Sequence, residues 1–380
     1  MSITKSRKKS SLWEIASLFL KLGCFAFGGP AAHIAMMEDE VVEKRNWMTR
    51  EHFLDLMGAT NLIPGPNSTE MTMHCGYERG GIKGLFVAGC CFILPAVLIT
   101  GSLAWLYVEY GTLPEVEPFI RGIQPAVLAI IAAAILKLGK KAIKNFELAT
   151  IGALVLAASL LGVNEILALL LGGAIGGIYF IIKNRNSSSN ILTPAILFLL
   201  SEETVQRLTN IEIFWTFLKV GSILYGSGYV LFAYLDAELV SHGLLTRPEL
   251  MEAIGIGQFT PGPVLSTATF IGYQLGGFGG AVAASIGIFL PSFLFVLLLN
   301  PLIPRMQKSK ILRGFLDSVN VAAVAVMLAV LIVMGQEALL DWRSIVIAVV
   351  CTALVFGIKK FSSIWVVLVG LILGYLLHLL

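Results

Sequence analysis

The chain repeats itself. Phe19-Leu20-Lys21-Leu22-Gly23 returns as Phe217-Leu218-Lys219-Val220-Gly221. Phe27-Gly28-Gly29 returns as Tyr225-Gly226-Ser227, Thr49-Arg50 as Thr246-Arg247, Pro64-Gly65-Pro66 as Pro261-Gly262-Pro263, and Pro95 as Pro291. Gly76-Tyr77 with Gly80, Gly81 and Gly84 returns as Gly272-Tyr273 with Gly276, Gly277 and Gly280. The offset drifts only from 198 residues at Phe19 to 196 at Gly76, so two single-residue gaps align the halves. Such a chain must fold as two related units: residues 1–182, a linker over 183–210, and residues 211–380.

Each unit is a series of apolar segments. The first series falls near 12–37, 53–78, 82–108, 119–137, 147–162 and 164–182; the second near 211–235, 250–275, 279–303, 315–336, 343–357 and 363–380. Most match a hydrocarbon core of about 30 Å. Hydrophobic residues make up 57% and charged residues 13%, far from the balance of a soluble domain. A net charge of +3 over 380 residues is no nucleic-acid footprint. The expected fold is all-α, a polytopic protein in the lipid bilayer whose basic N-terminus leads into an uncleaved first helix.

Equivalent loops carry opposite charge. After the third segment the first unit has Glu109, Glu115 and Glu117, and the second has Arg305, Lys308, Lys310 and Arg313. After the fourth, Lys137, Lys140, Lys141 and Lys144 face Glu337 and Asp341. Basic loops mark the cytoplasmic side, so the two repeats are expected to be inverted. With six spans each, inversion requires 191–210 to cross once more, leaving the N-terminus inside and the C-terminus outside. A re-entrant hairpin around the proline motifs is the alternative.

Inverted repeats with paired broken helices are a secondary-transporter architecture. Pro64-Gly65-Pro66 and Pro261-Gly262-Pro263 each interrupt an apolar segment, because proline lacks the backbone donor a helix needs. Hydroxyls and an amide follow: Asn67, Ser68 and Thr69 in one unit, Ser266 and Thr267 in the other. A helix restarting there points unpaired N–H groups at the break, a cradle for an anion. Phe27-Gly28-Gly29-Pro30 breaks the first segment similarly, and Gly226 sits at its counterpart. Lys21 lies nine residues past Leu12, roughly 13 Å along a helix, and Lys219 matches it. Two such ammonium groups suit a dianion. Glu70 is the candidate proton carrier, and Gln124 and Asn320 are further donors. Segment 38–52 reads as a solvated surface helix in which Glu40 and Lys44 are spaced to pair. The five cysteines form no C-x-x-C pair and the five histidines no cluster, so no metal site or cofactor is expected, and no enzyme.

At these motifs the sequence resembles the chromate ion transporter family in its long, two-repeat form. The resemblance covers nearly the whole chain outside the linker and extreme termini. It implies a plasma-membrane carrier that exports chromate, with sulfate as the look-alike substrate, driven by the proton gradient or by an exchanged anion. Where the family's first proline motif is often followed directly by an acid, this chain has Asn67, and Glu70 is the nearest. The residues alone support an oxyanion carrier; a sulfate carrier and an anion channel are the alternatives. The oligomeric state stays open, a homodimer among the options.

Overall fold

The computed structural model describes residues 12–27, 29–111, 113–183, 208–225, 228–299, 309–358 and 362–379. Those residues are helical, with no strand among them. The first unit contains α1 (Leu12–Phe25), α2 (Pro30–Glu38) running into a π-helical turn (Asp39–Lys44), α3 (Arg50–Thr60) and α4 (Asn67–Tyr110). After these come α5 (Glu117–Arg121), α6 (Ile123–Ala142), α7 (Phe146–Leu160) and α8 (Glu165–Lys183). The second contains α9 (Asn210–Ile223), α10 (Leu231–Leu235), α11 (Arg247–Phe259), α12 (Thr267–Leu299), α13 (Lys310–Ala338), α14 (Trp342–Gly357) and α15 (Ser363–His378). Helix starts follow local chemistry: Thr49 caps α3, while Thr209 with Glu212 and Thr246 with Glu249 form capping boxes on α9 and α11.

α4 is two arms folded against each other. Gly81 has φ 62°, a left-handed conformation that glycine adopts readily. A Cβ on Gly76 would collide with the Gly84 carbonyl and lie 2.5 Å from Ala88 Cβ. Residues eight apart in a straight helix stand about 12 Å apart, so the chain turns back here. α12 repeats the device at Gly276 and Gly277, with Gly272 against Gly280.

The expected crossings over 12–37 and 53–78 are corrected by these contacts. Glu14, at the start of α1, accepts from Trp47 Nε1 at 3.1 Å and pairs with Arg79 at 3.1 Å. Residues 14, 47 and 79 therefore lie at one end of the molecule. α1 and α2 form one helical hairpin, and α3 with the first arm of α4 forms a second; each returns to the end it entered from. Their tips lie at Ala26, Phe27 and Gly29 and at residues 61–66. An apolar run long enough to cross a bilayer is also long enough to enter and leave as two half-length helices, and hydropathy alone does not separate the two. In the second unit Asn210 Oδ1 would lie 3.0 Å from a Cβ on Gly276, so the start of α9 meets the turn of α12.

The two hairpin pairs open at opposite ends. The second arm of α4 starts beside α1, with Gly84 against Ile15, and ends at Tyr107, which donates to Glu252 of α11. Arg247, at the mouth of the second hairpin pair, reaches Glu337 at the far end of α13, with the two atoms 2.5 Å apart. α6 and α13 occupy equivalent repeat positions and run antiparallel: Gly139 lies near Val324, and Lys144 pairs with Asp317 at 2.7 Å. Each unit also packs on the other's last helices, α13 on α7 and α8, and α6 on α14 and α15.

Among the described residues, four stretches are long and apolar enough to cross a membrane: Asn67–Tyr110, Glu117–Ala142, Val264–Leu298 and Leu312–Ala338. α7, α14 and α15 are shorter apolar helices, as is the stretch Glu165–Phe180 within α8. Phe86, Leu98, Trp105, Trp215, Phe278 and Trp365 stand exposed on this bundle, a surface made for lipid rather than water. The expected crossing over 191–210 lies almost wholly outside the described residues, as do Gly28, Gly226, Arg305 and Lys308.

Candidate functional site

The four hairpin tips meet at the centre, each clasped to a tip of the other repeat. Gly65 N donates to Leu224 O at 2.6 Å, and Gly262 N donates to Ala26 O at 3.0 Å. Gly65 and Gly262 have φ of 138° and 88°, where any side chain would be strained. A Cβ on Gly262 would lie 3.0 Å from Ala96 Cβ; one on Gly65 would lie 2.7 Å from Ser292 Oγ and collide with the Glu70 carboxyl. Ala96 and Ser292 are equivalent positions, each following a matched proline, Pro95 and Pro291. So the repeat's internal symmetry holds at the level of single contacts.

Pro64, Pro66, Pro261 and Pro263 are buried in the breaks after α3 and α11, and Pro66 and Pro263 are the N-caps of the helical turns that follow. α4 restarts at Asn67 with Pro66 as N-cap and no side-chain cap, leaving its first N–H groups toward the break. Asn67 itself turns away and donates to Asn61 at 2.7 Å. Ser68 lies 3.4 Å from His33 Nδ1. The Thr69 hydroxyl and both Glu70 carboxyl oxygens are buried with no hydrogen-bond partner among the described residues. At the second break Thr100 donates to Ser266 at 3.1 Å and lies 3.4 Å from Thr260, while Thr267 donates to Val264 O at 2.9 Å. Gly29, with φ 77°, ends the first break and lies near the Tyr229 hydroxyl.

Lys21 and Lys219 do not stand as free cations. Lys21 is 60% exposed and pairs with Glu40 at 3.4 Å; Lys219 pairs with Glu238 at 2.7 Å. The hairpin brings each carboxylate back beside its lysine, which removes the net positive field expected at the break. Glu40, with Val41 and Val42, is buried, so segment 38–52 is only partly a solvated face, although Lys44 does pair with Glu40 at 3.3 Å. Burial acts to raise the Glu40 carboxyl, but hydrogen bonds from Arg45 and Lys44 outweigh it and hold it below its usual range. Gln124 is engaged elsewhere, donating to Glu252 at 2.8 Å.

His33 and Ser292 belong to the site and escaped the motif reading, which had reached Tyr225. Tyr225 is the counterpart of Phe27. The signal for Ser292 was its place directly after a repeated proline; His33 has Leu231 as counterpart, so the repeat gave no cue.

Repeated helix hairpins with buried hydroxyls at their meeting point, wrapped by lipid-facing helices, define a multi-pass membrane protein of the transporter type. The chain belongs to the chromate transporter family, whose sequence profile matches residues 13–178 and 211–375. It is 30% identical to the chromate transport protein of Cupriavidus metallidurans, over 97% of this chain and 94% of that protein. The probable chromate transport protein of Synechococcus elongatus is 29% identical over 90% of this chain and 88% of its own length. That of Pseudomonas aeruginosa is 30% identical over 85% and 81%. No solved structure matches the chain significantly.

Proposed function

We propose that the protein is a secondary active carrier that exports chromate across the plasma membrane, coupled to protons or to an exchanged anion, and that sulfate is its look-alike substrate. The observation that carries this reading is the reciprocal clasp between tips, Gly65 to Leu224 and Gly262 to Ala26. It sets two helix starts and a set of buried hydroxyls at one place, reached by hairpins that open at opposite ends. Such a centre can face either side in turn, as alternating access requires. Antiparallel α6 and α13 support an inverted arrangement in the membrane, with the basic 137–144 loop cytoplasmic. Close packing around Gly65 and Gly262 favours a carrier over an open channel.

Substrate contacts are assigned to the helix starts after Pro66 and Pro263, with Glu70 as the proton-coupling group. Purified protein in liposomes tests the reading. Labelled chromate and sulfate are expected to enter in a saturable way, faster with a pH gradient or with a trapped exchange anion. Vesicles that take up neither anion contradict it. Glu70→Gln is expected to keep anion exchange while losing the response to the pH gradient.

A further inference from the structure

The two breaks match in backbone but not in how their polar atoms are satisfied. At the second, the hydroxyls of Thr100, Thr260 and Ser266 lie 3.1 to 3.5 Å from one another, and Thr260 also donates to Gly257 O at 2.9 Å. That cluster satisfies itself. At the first, the Ser292 hydroxyl and the Glu70 carboxyl both lie against Gly65, from opposite repeats, and neither has a partner among the described residues. Thr69, buried in the same helical turn, is also unpartnered. The counterparts of Thr69, Ser292 and Thr100 are Ser266, Ala96 and Val296. The first break thus keeps a hydroxyl opposite its glycine where the second has a methyl group.

Buried hydroxyls and carboxyls without partners are rare in folded proteins, because each costs about 1–3 kcal/mol. Three such oxygens, on Glu70 and Ser292, meet against Gly65 at the start of a long helix, and a fourth, on Thr69, lies one residue before Glu70 in the same turn; together they mark a place where a partner belongs. A hydroxyl can donate or accept; the positive end of the first arm of α4 selects a partner that accepts from Thr69 and Ser292. A tetrahedral oxyanion meets both demands. It cannot share the space with a bare carboxylate, so Glu70 takes part as the acid and its O–H donates.

We infer that one oxyanion is held at the first break alone, by the Thr69 and Ser292 hydroxyls and the Glu70 acid, while the hydroxyl cluster at the second break is a structural pivot. This rests on the carrier reading and narrows its binding residues to one half of the pseudo-symmetric centre. Ser292, from the second repeat, becomes a specificity residue in a site otherwise built by the first.

The test is equilibrium binding of labelled sulfate, and competition by chromate, on the full-length protein in nanodiscs. Ser292→Ala installs the residue that the other repeat carries at this position, which favours a folded protein. It is expected to weaken binding about tenfold or more, the effect of losing one hydrogen bond to a charged ligand. Glu70→Gln keeps a neutral donor and is expected to retain affinity, whereas Glu70→Ala loses it. Thr100→Val opens the second cluster and is expected to lower thermal stability while leaving affinity unchanged. Wild-type protein that binds neither anion overturns the carrier reading and this inference with it. Wild-type binding that survives both Ser292→Ala and Glu70→Ala, or that Thr100→Val abolishes, overturns the inference alone.

Discussion

The Ala26 carbonyl accepts two hydrogen bonds, one from Gly262 N and one from His33 Nε2, each at 3.0 Å. With Nε2 as donor, the neutral ring leaves Nδ1 to accept from Ser68. His33 therefore ties the first break to the start of α4 and sits beside the clasp between repeats. His33→Phe would keep a ring near Phe92 and lose both hydrogen bonds. Leaving the buried Ser68 hydroxyl without a partner, and the Ala26 carbonyl with Gly262 N alone, is expected to cost about 1–3 kcal/mol, read as a lower melting temperature in detergent. Lysine at position 21 teaches the opposite lesson. Its depth along α1 was legible, but its partner Glu40 lies 19 residues on, in the other arm of a hairpin, and only the folded chain brings them together. Lys21→Met is accordingly expected to cost at most about 1 kcal/mol of stability, as for an exposed ion pair. Glu40 carries a pH signature. Its carboxyl is held below its usual range, so its contribution is fully present above the ordinary carboxylate pKa and is lost as pH falls through the lower folded value. Thermal unfolding across acid pH should show this loss, and Glu40→Gln should flatten it.

Helical hairpins are the elements that distinguish this fold from a row of crossings. The fold-backs within α4 and α12 that complete them depend on glycine in two ways: Gly81 and Gly277 supply the left-handed turn, and Gly76 and Gly272 let the arms touch. A Cβ on Gly81 meets nothing within 4 Å, so Gly81→Ala is expected to cost only the conformational penalty, about 1–2 kcal/mol. Gly76→Val, driven against the Gly84 carbonyl, should prevent the arms from closing and abolish a monodisperse peak in size-exclusion chromatography. Equal effects of the two substitutions would contradict the hairpin. The repeated glycines were visible in the sequence, and so were the proline breaks. The reversal at Gly81 falls between the apolar runs 53–78 and 82–108; what was not visible is that the runs 12–37 and 53–78 each double back, because hydropathy carries no direction.

Across the whole molecule, the two repeats exchange partners at every level: tips clasp opposite tips, and α6 and α13 each pack on the other unit's last helices. The pairing of Lys144 with Asp317 sets the end of the 137–144 loop beside the early turns of α13. Cysteines introduced at 141 and 313 are therefore expected to be labelled from one side of the membrane, the cytoplasm, and cysteines at 115 and 341 from the other. Labelling of 141 and 313 from opposite sides would contradict the arrangement. Loop charge carries this expectation in the sequence, since basic residues alternate between halves. The meeting of the breaks was legible only as an expectation of symmetry, and Ser292, half a chain away from Gly65, is known only from the fold. The anion is expected where the tips meet, at the first break. Chromium scatters anomalously, so diffraction from crystals grown with chromate locates the ion directly. An anomalous peak beside Gly65, within reach of Thr69 and Ser292, is the expected result; chromium bound only at surface lysines would contradict it.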